Sequence, residues 1–445
     1  MSDRKAAARR PAVFVDRWRW LWLLAAAPLL LFPSPARALA LLVIPGLWLL
    51  AGLAGRPALP RTPFNGALLL MGGMLLVSLY ATYDLAVSLP KVAGVVLGYG
   101  LFFALAELPS PRAWRLGLAG LVAAGFSLAV VGLLGARWLD KFPILSRLTG
   151  LLPAALRGLP GAEEGFQPNE VAGSLLWIVP LGLVLAAHAW RRRDWLRAEL
   201  GRRGAAAWQI GVALAAAVTC GVLLLTQSRM ALLGLGLTLA GFGAAWLPRR
   251  LGRWGWVVLA VGLLAGLTSL TLGRWAILAQ LQQADLIDPE SLAAGSLEGR
   301  VEIWSRALDT IRLAPFTGLG LNTWRYLVRH LFPFWLSTPE FPIAHAHNEM
   351  LQAALDLGLP GLAAFVWLQA AALRLAWQVA RRPAGSPAWP EHLQRAAALG
   401  LAAGLLAHAI FGLADAVALG AKPGLFFWAV LGLLASLGRL TRTDA

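Results

Sequence analysis

Apolar runs of about 20 residues recur from one end of this 445-residue chain to the other. A helix needs roughly that length to cross a bilayer. Backbone amides and carbonyls have no water to bond in hydrocarbon, so only helices and closed barrels can span it. Hydrophobic residues make up 58% of the chain and charged residues 14%, with mean hydropathy +0.66. A soluble domain would carry nearer a quarter charged residues. The short alternating segments of a β-barrel are absent. The sequence therefore predicts an all-α polytopic membrane protein of about twelve transmembrane helices. They are placed near 18–33, 37–54, 65–82, 86–105, 114–135, 170–189, 207–226, 230–247, 255–272, 349–373, 396–413 and 421–438. Three regions follow. Residues 1–272 hold helices one to nine, with an extra-membrane loop at about 136–169. Residues 273–347 form a helical subdomain, and residues 348–445 hold the last three helices.

The net charge of +17 would suit a nucleic-acid binder, but its distribution opposes that. Most of the arginines gather in alternate connections: the N-terminus, Arg56/Arg61, Arg112/Arg115, the block Arg191-Arg192-Arg193, Arg249/Arg250/Arg253, Arg374/Arg381/Arg382 and Arg439/Arg442. The positive-inside rule then puts both termini in the cytoplasm, and the excess faces anionic lipid. No nucleic-acid partner is expected. Residues 1–40 resemble a cleavable signal peptide, but a new apolar run starts at Leu39. Pro33-Ser34-Pro35 reads better as the turn of an uncleaved hairpin. Cys220 is the single cysteine, so no intramolecular disulfide can form.

The subdomain sits on the non-cytoplasmic side. Val301, Ile303, Trp304, Leu308 and Ile311 follow a helical period, which predicts an amphipathic helix over 301–313. Pro315 and the glycines after it end that helix, and a shorter one is expected over 323–332. Where this polar segment meets the next apolar run stands Ala344-His345-Ala346-His347-Asn348-Glu349-Met350-Leu351-Gln352, with two of the six histidines. Ionisable groups at such a boundary are costly and call for a reason. An imidazole at His347 could take a proton from an acceptor hydroxyl; it could equally cap the helix start. His345 and His347 could share a metal ion, but no third ligand stands at a telling spacing, and none is expected. Arg229, wedged in Gln227-Ser228-Arg229-Met230 between two apolar runs, Arg300 and Arg325 are candidates to bind a diphosphate, because guanidinium pairs with phosphate oxygens bidentately. Pairing with neighbouring acids is the plainer reading of each, and of Arg306, Arg312 and Arg329. Asn169 and Glu170, with Glu163 and Glu164, form a third cluster. His188, His392 and His408 read as ordinary structural histidines.

Taken together, these residues resemble the O-antigen ligase and polymerase superfamily of bacterial envelope glycosyltransferases. The carrying motif is His347-Asn348, nine residues, then Gly358-Leu359-Pro360-Gly361. It is supported by Gln167-Pro168-Asn169-Glu170-Val171-Ala172-Gly173, Ser228-Arg229, Gly299-Arg300-x-x-Ile303-Trp304 and Gly318-Leu319-Gly320-Leu321-Asn322-Thr323. Met230 departs from the small residue often found there. The resemblance spans roughly 160–365. It implies a GT-C-like glycosyltransferase of the bacterial inner membrane that works on the periplasmic face. It would move a glycan from undecaprenyl pyrophosphate to an acceptor hydroxyl with inversion, with no cofactor and no metal. His347 would be the catalytic base; Arg229, Arg300 and Arg325 would hold the pyrophosphate; His345, Asn348, Asn169, Glu170 and Gln352 would support them.

Such motifs describe the donor side. The acceptor could be lipid A-core in a ligase, another lipid-linked repeat in a polymerase, or a Ser or Thr in a protein O-oligosaccharyltransferase. Ligation to lipid A-core is the leading expectation. A transporter would show charges deep in several spans, or broken helices at matching places in two halves; the charges here lie mostly at span ends.

Overall fold

A computed structural model describes residues 19–32, 34–53, 55, 60–138, 143–153, 155–156, 158, 165–257, 297–334, 343–382 and 391–443. Among them there is no β-strand, only an isolated bridge between Ala136 and Phe166. The helices are α1 (Arg19–Leu31), α2 (Val43–Leu53, entered by a 3-10 turn at Pro35–Leu42), α3 (Asn65–Ala81), α4 (Leu85–Ala106), α5 (Pro111–Gly135), α6 (Pro143–Thr149), α7 (Pro168–Leu175), α8 (Val179–Arg191), α9 (Arg193–Leu225) and α10 (Arg229–Leu251). After them come α11 (Leu297–Leu313), α12 (Trp324–Leu331), α13 (Glu349–Arg381), α14 (Glu391–Phe411) and α15 (Leu425–Thr443).

Six of these segments are long and apolar enough to cross a membrane: Leu85–Ala106, Pro111–Gly135, Arg193–Leu225, Glu349–Arg381, His392–Phe411 and Lys422–Arg442. The pair α7 and α8, bent by 40° at its break, would make a seventh, and shorter apolar helices lie at Leu39–Leu53, Asn65–Ala81 and Arg229–Ala244. Each expected span from 18–33 to 230–247, and each of the last three, falls on a helix or helix pair. The ninth, near 255–272, lies almost wholly outside the described residues, as do Glu163 and Glu164. The run expected as one span over 349–373 is broken at Gly358, whose φ of 71° and ψ of 177° no helix contains. That conformation belongs to glycine almost alone.

The break has a purpose in the packing. It lets the turn after α11 dock on α13: the Leu319 amide donates to Leu355 O at 2.8 Å and the Leu359 amide to Pro315 O at 2.7 Å. A side chain at 358 would meet Phe316 O at 2.4 Å. The main core runs through α4, α5, α13, α14 and α15, where Phe102, Trp114, Phe365, Phe411 and Trp428 are fully buried. α4 packs on α15, α8 on α14, and α13 on both α3 and α14. A second, smaller apolar cluster joins Ile303 and Ala307 of α11, Trp324 and Val328 of α12, Ile343, Ala346 and Leu355. It fastens α11 and α12 to the start of α13. The buried stripe of α11 is Ile303, Ala307 and Thr310; Val301 and Leu308, expected on that face, are about half exposed.

Candidate active site

Asn348 begins the site by starting the helix. Its side chain accepts from the Met350 and Leu351 amides, both at 3.0 Å, so two orphan amides of the first turn of α13 are satisfied. Its own amide group donates to Leu413 O at 2.9 Å. The Glu349 amide donates to Gly412 O at 2.7 Å. These bonds tie the start of α13 to the segment after α14, and so bring His347 and Asp415 together from positions far apart in sequence.

His347 has a φ of 46°, in the left-handed region. Such backbone persists where its surroundings over-determine it. Here the His347 amide donates to His345 Nδ1 at 3.1 Å, Trp304 Nε1 donates to His347 O at 3.2 Å, and the Ala346 amide donates to Gln352 Oε1 at 2.9 Å. Gln352 Nε2 in turn donates to Asp356 Oδ1 at 2.9 Å. Gln352 is thus a brace for the histidine loop, not a ligand in an open pocket.

The side chains converge on Asp415, whose side chain is 97% buried. Its Oδ1 lies 3.4 Å from His347 Nδ1 and 3.8 Å from His345 Nε2; its Oδ2 lies 3.9 Å from the Arg300 guanidinium. Burial works to raise the Asp415 carboxyl, but the contact with His347 and the neighbouring His345 and Arg300 outweigh it, and the group ends below the usual carboxylate range. It is therefore a carboxylate. A lone pair on His347 Nδ1 would be repelled by it, so the ring carries its proton there. That leaves the Nε2 lone pair as the base, without a protein partner among the described residues. His345 differs. Desolvation by burial, helped by His347 and opposed by Asp415, pushes it down to about 3. A quarter of its side-chain surface is open, but protein walls it in at longer range. It stays neutral.

Asp415 supplies the third group that His345 and His347 lack in sequence. One ligand atom from each of the three lies within 4.8 Å of the others, a composition suited to zinc. Two features oppose a metal. His345 Nδ1 accepts an amide hydrogen, so a neutral ring carries its proton on Nε2, the atom that would bind the ion. Arg300 already holds a positive charge against Asp415 Oδ2.

The other expected residues are spread around this centre. Arg325 opens α12, 5.3 Å from the Tyr326 ring, and acts electrostatically on His345. Arg229 opens α10 after Thr226, Gln227 and Ser228, all buried, and makes contacts of its own. Asn169 and Glu170 lie in the first turn of α7, where Asn169 Oδ1 is buried without a hydrogen-bond partner. Arg306 and Arg312 both pair with Asp309, at 3.6 and 2.9 Å, as the plainer reading held.

Sequence reasoning missed two groups here. Asp415 follows a span and belongs to no motif. His408, read as ordinary, bonds Glu349 Oε1 through Nε2 at 3.1 Å and Gly173 O through Nδ1 at 2.9 Å, with its ring stacked 3.8 Å from Trp177. Both partners are buried. The pair clamps the start of α13 to the break between α7 and α8, beneath the histidine loop.

Residues 213–366 match the O-antigen ligase family. The match includes Arg229, Arg300, Arg325, His345, His347 and Gly358 and stops short of Asp415. It supports placing the chain in the O-antigen ligase and polymerase superfamily. No curated protein matches the chain.

Proposed function

We propose that this protein is a membrane glycosyltransferase that ligates a glycan from undecaprenyl pyrophosphate onto a sugar hydroxyl of lipid A-core. It works at the periplasmic face of the bacterial inner membrane, with both termini cytoplasmic and α11 and α12 forming the helical subdomain of a GT-C-like fold. The observation that carries this reading is the His347–Asp415 pair, with Arg300 on the second carboxylate oxygen. An imidazole held by a carboxylate through one nitrogen offers the other as a general base.

The acceptor hydroxyl gives its proton to His347 Nε2 while its oxygen bonds to the anomeric carbon. The bond from that carbon to the phosphate oxygen breaks, and the diphosphate leaves with the electron pair. Attack opposite the leaving group inverts the centre. Asp415 stabilises the imidazolium that forms. Arg300, Arg325 and Arg229 offset the charge developing on the diphosphate, the task a metal ion performs elsewhere.

Purified protein is given undecaprenyl-pyrophosphate glycan with lipid A-core, or with no second acceptor. Transfer to the core, lost in His347→Ala, supports the proposal. Lengthening of the lipid-linked glycan would mean a polymerase instead, and full activity of His347→Ala would remove the base.

A further inference from the structure

Glu349 and His408 are ionisable residues on two spans, each with 5% of its side chain exposed. A charge there is costly unless it is paired. The bonds of the His408 ring fix where the protons sit. Gly173 O can only accept, so His408 Nδ1, 2.9 Å away, carries a hydrogen. Nε2 faces Glu349 Oε1 at 3.1 Å, and that contact needs a proton of its own. One proton therefore lies between the two atoms, and the pair is neutral overall whichever atom holds it. Glu349 Oε2 is buried without a hydrogen-bond partner among the described residues, so the His408 bridge is what orients the carboxyl. Trp177 covers one face of the ring, and a Cβ on Gly412 would meet Glu349 Oε2 at 2.7 Å. Both side chains are too enclosed to meet a substrate.

Their place in the chain gives the bridge its leverage. Glu349 comes two residues after His347, and His408 seven before Asp415. Glu349 holds the end of α14 twice, by its side chain at His408 and by its amide at Gly412 O. Between those grips the Gly412 amide closes on His408 O at 2.8 Å, and the Asp415 amide closes on Phe411 O at 3.1 Å. The other wall is fixed as well, because Gly173 lies so near Phe411 that a side chain at 173 would strike the ring. What this frame sets is the gap between Asp415 Oδ1 and His347 Nδ1. At 3.4 Å that gap has no slack left for a hydrogen bond. Misplacing a catalytic group by about 1 Å can cost roughly a hundredfold in rate.

We propose that Glu349 and His408 are positioning residues of the transfer reaction, whose shared-proton bridge sets the approach of Asp415 to His347. The inference rests on the glycosyltransferase reading above. The test measures glycan transfer by the full chain in nanodiscs. His408→Asn keeps an amide nitrogen where Nδ1 donates to Gly173 O and drops the atom that meets Glu349. Its kcat should fall at least tenfold, with donor and acceptor KM within about twofold of wild type. Glu349→Gln should keep kcat within about threefold, because its amide donates to the Nε2 lone pair of a neutral His408. Adding Glu349→Ala to His408→Asn should cost no more than His408→Asn alone, since both break one bridge. Wild-type kcat in His408→Asn, an equal loss in Glu349→Gln, or an effect confined to KM would overturn the proposal. So would a His408→Asn chain that cannot be purified folded, because the pair would then serve folding alone. A cryo-EM structure of His408→Asn separates this claim from the reaction. A wider gap between His347 and Asp415 upholds the positioning even if wild type transfers no glycan. An unchanged gap refutes it even where wild type is active.

Discussion

Replacing Asp415 with Asn tests the heart of the site. Asn keeps the shape and leaves Oδ1 to accept the Ala416 amide, which donates to it at 3.0 Å. It removes the charge 3.4 Å from His347 Nδ1. At an effective dielectric of about 20, a full charge pair at that distance is worth about 5 kcal/mol. In the proposed base mechanism the ring gains its charge only in the transition state, so this interaction acts on kcat. A hydrogen bond to the neutral amide returns about 1 kcal/mol. The net loss of about 3–4 kcal/mol corresponds to roughly two to three decades in rate. Donor affinity should move the other way or stay still, because Arg300, 3.9 Å from Asp415 Oδ2, loses its protein counter-ion and becomes freer to bind phosphate. Saturation curves for transfer from undecaprenyl-pyrophosphate glycan, taken on variant with wild-type thermal stability, separate the two effects. A kcat within about fivefold of wild type would refute the electrostatic argument, and so would a loss seen only as a higher donor KM.

Three further outcomes are expected. Stability should fall as pH drops below about 6.5. The unfolded His345 then binds a proton that the folded, neutral ring refuses until about pH 3. The cost reaches about 2–3 kcal/mol near pH 4.5, and Asp415, also lowered, acts in the same direction at still lower pH. Thermal melts of wild type and His345→Asn should therefore converge in acid, and parallel curves would count against a buried neutral His345. Gly358→Ala should lower the melting temperature through a cost of about 2 kcal/mol or more, since the new Cβ adds a clash with Phe316 O to a glycine-only conformation; a variant as stable as wild type would contradict the break in α13. Transfer should survive chelator treatment, whereas loss restored by one divalent ion would show that His345, His347 and Asp415 hold a metal after all.

The sequence disclosed what depends on local pattern. Apolar length marked the helices, and two amphipathic stretches were found within a few residues of their observed bounds. The His347-Asn348 spacing to Gly358 is now physical: Asn348 caps α13, and Gly358 breaks it two and a half turns later so that the α11 turn can dock. What stayed hidden depends on tertiary closure. Asp415 and His408 are single polar residues in or beside apolar runs, and no period or spacing announces which partners they will meet. Asp415 becomes a partner of His347 only because the Glu349 amide and Asn348 side chain bond the backbone at Gly412 and Leu413. Val301 and Leu308 show the same limit from the apolar side. They keep the helical period of α11, but the buried stripe is set by where Trp324 and Ala346 arrive to cover it. A signal was nevertheless present for the polar pair. An ionisable residue in or beside a span is expensive, and each of them lies near the same end of the bundle as His347. Asking of every such residue which partner offsets its cost would have singled them out before any coordinate was known.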